Sequence, residues 1–231
     1  WKTIKAGKSF RGMMINRRKD DSLLYEEKTI TPMVNELGEI EGFVSIGKDI
    51  THSEITQNAF RDPLTGLVNR ALFMDRLSHE MALAKRSDAN LALLYLDLDC
   101  FKQVNDKLGH QAGDDLLVGF AKLCQSLVRK TDTVSRLGGD EFVILMTGYQ
   151  QKSDVETLAG NLIEGAAKAD WFPADCEATF GVSIGIHTFS PNKADLSAKQ
   201  FLELADRAMY ASKKAGKNQY SFAPDTTEDA N

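Results

Sequence analysis

At 231 residues the chain has room for one sizeable domain and a smaller piece, and its 42% hydrophobic and 26% charged residues are those of a globular protein. A net charge of -5 gives no support for a surface that coats nucleic acid, and a polyanion is expected to be handled in a local site with a metal ion to offset charge. No apolar run approaches the ~20 residues of a membrane span, and Cys100, Cys124 and Cys176, widely spaced, predict reduced thiols in a cytoplasmic setting rather than a disulfide framework. The opening at Trp1 reads as a piece of a longer protein, whose other segments could attach it to a membrane.

In chain order, residues 1–50 are β-rich. Phe10 to Asn16, Ser22 to Pro32 and Ile40 to Asp49 predict short strands, divided by turns at Lys19-Asp20-Asp21 and at Asn35 to Glu39. Three strands leave one sheet face needing cover, as in an incomplete domain. Thr51 to Arg61 predicts a helical connector, with Thr51 or Ser53 as N-cap.

From Asp62 the pattern becomes an alternation of strands and helices. Asn69 to Arg86 is amphipathic through Leu72, Phe73, Leu77, Met81 and Ala84. Leu91 to Leu98 is almost continuously apolar, as a strand buried on both faces should be. A helix over Ala112 to Arg129 follows. Thr133 to Leu137 and Glu141 to Met146 then form a hairpin around Gly138-Gly139-Asp140. Asp154 to Ala169 predicts a helix, Ala178 to Thr188 a strand, Lys199 to Ala215 a helix, Tyr220 to Phe222 an edge strand, and residues 224–231 a flexible acidic tail. The order βαββαβ predicts an α+β fold: a ferredoxin-like or palm-like, antiparallel-mixed sheet with flanking helices, placed on one face.

Carboxylates gather at two places in this plan. Asp97 and Asp99 stand at the carboxyl end of the buried strand, where open sheets hold ligands. The competing reading has Asp99 capping the helix near Phe101 and Asp97 solvated. Asp140 and Glu141 stand at the hairpin tip, behind two glycines that allow close approach. With the hairpin beside the Asp97 strand, three carboxylates would converge, a hard oxygen set suited to Mg2+ and a triphosphate.

The run Arg136-Leu137-Gly138-Gly139-Asp140-Glu141-Phe142 resembles the signature of the GGDEF family of diguanylate cyclases. Asp62 to Arg70, Asp97 to Lys102, Asn105-Asp106, Gly109-His110, Gly113-Asp114, Ser183-Ile184-Gly185, Ala205-Asp206, Met209-Tyr210 and Lys213 to Asn218 extend the likeness over roughly residues 60–222. The resemblance implies condensation of two GTP into cyclic di-GMP and two pyrophosphates by a homodimer, with Mg2+, or Mn2+ in its place. Asp97, the Leu98 carbonyl, Asp140 and Glu141 would hold the metal. Asp140, Glu141 and Lys102 would be catalytic. Asn105 and Asp114 would read guanine, His110 would line its pocket, and Phe101, Lys213 and Lys217 would serve the phosphates.

Arg129-Lys130-Thr131-Asp132 is similar to the family's Arg-x-x-Asp inhibitory product site, with Arg86 supplied by a partner subunit. A helix-end arginine beside a turn aspartate is the plainer reading of the same residues. The arginine that some relatives place after the hairpin is absent, Asn161 falling there. Asn16 to Asp20, Thr29 to Pro32 and Gly47 to Thr51 resemble the closing strands of a PAS sensor domain. The resulting plan is a PAS remnant over 1–50, a linker over 51–61 and a GGDEF domain over 62–223, with no nucleic-acid polymer and no membrane contact. A degenerate GTP or cyclic di-GMP sensor, and a nucleotidyl cyclase of another specificity, are the rival readings. Intact Asp97, Lys102, Asp140 and Glu141 speak against the first, Asn105 and Asp114 against the second.

Overall fold

The computed structural model describes residues 2–19, 23–35, 38–50, 60–169, 171, 180–189 and 196–224. The predicted connector, apart from its last two residues, lies outside them, as do Cys176 and the tail beyond residue 224. Two compact units divide the chain, Trp1–Phe60 and Arg61–Asn231.

The first unit is a three-stranded antiparallel sheet, β1 (Phe10–Arg17), β2 (Leu23–Val34) and β3 (Ile40–Asp49), with a single helical turn, α1 (Lys2–Lys5), ahead of it. Tyr25 of β2 is buried and stacks on Phe60 with ring centroids 5.1 Å apart. Apolar side chains remain on its surface, Ile46 most of all at 70% exposure.

In the second unit the strands run β5-β6-β4-β7-β8: β4 (Leu91–Asp99), β5 (Thr133–Gly138), β6 (Glu141–Thr147), β7 (Gly181–Phe189) and β8 (Tyr220–Phe222). Only the β7–β8 pair is parallel, so the sheet is mixed, as expected. Its helices are α2 (Arg70–Ser87), α3 (Phe101–Leu108), α4 (His110–Leu127), α5 (Lys152–Lys168) and α6 (Ala198–Lys214).

All nine residues of β4 are buried, and this places helices on both faces rather than one. Ala92, Leu94, Leu96 and Leu98 join the core built with α4 and α5. The alternate positions, from Leu91 through Tyr95 and Asp97, turn to the α6 side. There Gly185 of β7 permits helix contact: an added Cβ would lie 2.0 Å from the Ala205 carbonyl oxygen. Each helix is also set by local chemistry. Asn69 caps α2 by accepting the Leu72 amide at 3.1 Å, and Ser197 with Gln200 forms a capping box on α6. Gly109, at φ +86°, breaks α3 from α4, a conformation costly to a residue with a side chain.

Among the described residues no helix is long and apolar enough to cross a membrane.

Candidate functional site

The register of the sheet brings the sequence-predicted acids to one edge. Asp97, at the end of β4, lies opposite Glu141 of β6 on one side and Ser183 of β7 on the other. It is only 6% exposed, and the Lys213 ammonium on α6 stands 2.6 Å from its Oδ1. The two form a short, largely buried ion pair at the end of the strand. Burial, aided by the charges of Asp140 and Asp99, pushes the Asp97 carboxyl up to about 6, against the pull of Lys213.

The hairpin tip is fixed through its backbone. Gly138 and Gly139 have φ of +146° and +53°, and the Leu98 amide donates to the Asp140 carbonyl at 3.3 Å. Arg136 of β5 then clamps the turn. Its Nε and Nη2 donate to the Gly139 carbonyl at 2.9 and 2.7 Å, while Nη1 donates to both oxygens of Asp62 at 3.0 and 3.2 Å. Asp62 Oδ1 also accepts the Thr65 amide and hydroxyl at 2.8 and 2.6 Å. Burial alone would raise the Asp62 carboxyl, but the Thr65 bonds and Arg136 outweigh it and hold it below its ordinary value. The sequence motifs contained both residues without indicating that they pair.

The three side chains part company at this edge. Glu141 acts on the Tyr95 hydroxyl, which burial first, then Glu141, pushes well above its usual range. Among the described residues no three His, Cys, Asp or Glu side chains form a metal-binding group. The donor chemistry nevertheless fits a hard divalent cation: Asp97 brings a buried carboxylate, and Asp140 lies within electrostatic reach of it. Mg2+ needs no more than one or two protein carboxylates when phosphates and water complete its shell.

Beyond Asp97 the chain turns sharply. Cys100 is left-handed at φ +63° and heads α3 without a side-chain cap, so the first α3 amides, at Phe101 and Lys102, have no partner within the helix. Lys102 is exposed, and Lys217 Nζ lies 3.8 Å from Cys100 Sγ. Phe101 is partly buried against the core. Asn105 on α3 faces Gly113 on α4 so closely that an added Cβ would sit 2.1 Å from its Oδ1. Asp114 follows, half-buried, and His110 is exposed at the start of α4. Gly113 was legible only as part of a motif; its closeness to Asn105 is set by the α3–α4 packing.

A second feature is a cavity of about 290 Å3 whose lining includes Arg61, Arg76, Arg129, Lys130, Asp132 and Val68. Asp132 does the work of a turn residue here: Oδ2 accepts the Arg129 amide at 3.0 Å and Oδ1 the Thr147 amide at 3.2 Å. Arg86 and Asn161 are exposed and are not among its lining residues. Arg76, which the sequence did not single out, lines it from α2.

Comparison with known proteins agrees with this geometry. Residues 59–219 match the model of the diguanylate cyclase GGDEF domain. Diguanylate cyclase DgcS of Shewanella oneidensis is 36% identical over 173 residues, covering 75% of this chain and 56% of that protein. The coiled coil and GGDEF domain of DgcB from Caulobacter crescentus, solved with c-di-GMP, matches with a TM-score of 0.67 at 28% identity, over 74% of this chain and 88% of that one. The GGDEF domain of TpbB (YfiN) from Pseudomonas aeruginosa matches at 0.65 and 36% identity, over 71% and 94%. The chain spans about half or less of the length of its curated relatives. With its matched residues, its sheet and its signature hairpin in agreement, the chain belongs to the GGDEF diguanylate cyclase family.

Proposed function

We propose that this protein is a diguanylate cyclase that condenses two GTP into cyclic di-GMP and two pyrophosphates. The observation that carries the reading is the Asp97 edge, where a buried carboxylate paired with the Lys213 ammonium stands beside the Asp140 hairpin. The exposed start of α3 and Lys217 lie at the adjoining end of β4. The relative solved with c-di-GMP supports the same chemistry.

In each half-reaction the 3'-oxygen of one GTP attacks the α-phosphorus of the other. A new phosphorus–oxygen bond forms, the bond to the β-phosphate bridge breaks, and pyrophosphate leaves. Asp140 accepts the hydroxyl proton, directly or through water. Lys102 and the α3 amides stabilise charge on the reacting phosphate, and Lys213 and Lys217 hold the outer phosphates. Asn105 and Asp114 pair with the guanine edge, beside His110. Asp97, the Leu98 carbonyl and Asp140 would hold Mg2+, which when bound would neutralise triphosphate oxygens, with Glu141 beside them on Tyr95. One domain presents one GTP, so two copies must face each other across a twofold axis.

Incubation of the dimer with GTP and Mg2+, followed by chromatography, tests the reading. Cyclic di-GMP is expected; GTP bound without product would instead support a sensor. Gly113→Ala probes the guanine side. Its methyl displaces Asn105, so KM for GTP should rise about tenfold with little change in kcat or melting temperature. An unchanged KM would remove Asn105 from guanine recognition.

The cationic cavity supports product binding at Arg129 and Asp132, with Arg76 as a further cation and Arg86 of a partner copy completing the site. Arginine can bond guanine O6 and N7 bidentately and also pair with phosphate. Arg129→Ala should raise the concentration of cyclic di-GMP needed for half-inhibition by about tenfold or more. Equal inhibition of both proteins would show that the product acts elsewhere. For the first unit we keep the PAS reading as a proposal, on the likeness of its strands alone.

A further inference from the structure

Asp99 is a buried carboxylate to which the proposed chemistry gives no task. It lies two residues beyond Asp97 on the same face of β4, at 4% exposure. It does not cap α3, whose first residue follows a left-handed Cys100. Its carboxylate instead reaches across the sheet edge. Oδ1 accepts the Ser183 hydroxyl at 2.8 Å, and Oδ2 accepts the Asn218 backbone amide at 2.9 Å.

The segment held in this way is strained. Lys217 and Asn218 are consecutive left-handed residues, at φ +66° and +45°, a conformation that asparagine tolerates but that is unfavourable for lysine. Such a turn persists only where its surroundings over-determine it. Three contacts supply that here. The Lys217 amide donates to the Ser212 carbonyl at 3.1 Å, the Val182 amide donates to Asn218 Oδ1 at 3.4 Å, and Asp99 takes the Asn218 amide. Asp99 alone among these partners belongs to the strand that carries Asp97. The turn fixes where the Lys217 side chain leaves the backbone, and its ammonium comes to 3.8 Å from Cys100 Sγ, beside the open start of α3.

We propose that Asp99 is a positioning residue for Lys217: it locks the turn after α6 onto β4, so that the lysine ammonium is already held where the GTP phosphates sit. The proposal rests on the diguanylate cyclase reading and on Lys217 as a phosphate ligand. A residue that merely glues β4 to β7 would act through Ser183 instead. The two roles separate in a double-mutant cycle.

Binding is measured by calorimetry with Mg2+ and 3'-deoxy-GTP, which lacks the attacking hydroxyl and so binds without turnover. Asp99→Ala and Lys217→Ala should each weaken binding about tenfold, the value of one charge-assisted contact. The double variant should be no weaker than Lys217→Ala. Ser183→Ala should bind as the wild type does. Asp99→Asn should recover most of the affinity, because its carbonyl accepts the Asn218 amide while its NH2 donates to the Ser183 hydroxyl. Asp99→Ser, too short to reach Asn218, replaces the Ala variant if that protein does not fold. Losses that multiply in the double variant, or an Asp99→Ala protein that binds normally, would overturn the positioning role alone. Normal binding by Lys217→Ala would overturn the lysine's role as phosphate ligand and the proposal with it. A wild type that neither binds the analogue nor turns over GTP would sink the underlying reading.

Discussion

Asp140→Ala should lower the rate of cyclic di-GMP formation by about 10^3-fold or more while leaving the protein folded. The fold survives because the tip is held by backbone and by Arg136, not by the Asp140 side chain. The Leu98 amide bonds the Asp140 carbonyl, Gly138 pairs with Glu141, and Arg136 grips the Gly139 carbonyl. None of these is lost with the carboxylate. Turnover falls because the carboxylate is both the proposed proton acceptor and part of the proposed Mg2+ site, and removal of a single electrostatic contributor commonly costs about 10^2- to 10^3-fold. Asp140→Asn keeps the shape and loses the charge, and should be nearly as inactive. Chromatographic product assays beside thermal melts check both statements. Full activity in either variant would take Asp140 out of the mechanism, and a collapsed melting temperature would make the loss structural.

The sequence was most informative where local pattern decides structure. The run Leu91 to Leu98 reads as a strand covered twice and is one, and the glycines read as a hairpin tip at 138 and 139 do take positive φ there. Once these two strands pair in register, Asp97 must lie opposite Glu141, so the place of the site follows from pleat and turn. The placement of helices on a single face ignored what the β4 run already implied, because a strand buried on both sides needs cover on both.

Side-chain partnerships were much less legible. Lys213 meets Asp97 because α6 packs along β7, and no spacing within either segment announces it. Asp140 and Glu141 are neighbours in sequence, yet Asp140 belongs to the turn while Glu141 opens β6 and acts on Tyr95. Asp99 read as a cap or a ligand, and it is tied instead to a turn more than a hundred residues later. In each case several cations and carboxylates were available within one small volume. Packing chose among them. A likeness to a family transfers the motif, but the partners of each side chain come from the tertiary structure.

The second large effect expected is on the clamp rather than on the chemistry. Asp62 and Arg136 are 15% and 11% exposed, so removing one partner leaves the other charged in a largely dry place. Asp62→Ala should cost about 2–4 kcal/mol, below the value for a fully enclosed pair, and lower the melting temperature by roughly 5–12 °C. Activity should fall as well, by about ten- to a hundredfold, since Arg136 would no longer be pulled between Asp62 and the Gly139 carbonyl and the tip would lose its place. The pH dependence carries the sign of the interaction. The Asp62 carboxyl is held below its ordinary 3.8, so its contribution is fully present above that value and is lost as pH falls through the depressed one. Asp62→Asn keeps an acceptor for Thr65 without the charge. The gap in melting temperature between wild type and Asp62→Asn should therefore be constant near neutrality and close as pH drops below about 4. A gap that persisted unchanged in acid would mean that the ionised pair does not hold the hairpin, and that Thr65 and the Gly139 carbonyl suffice.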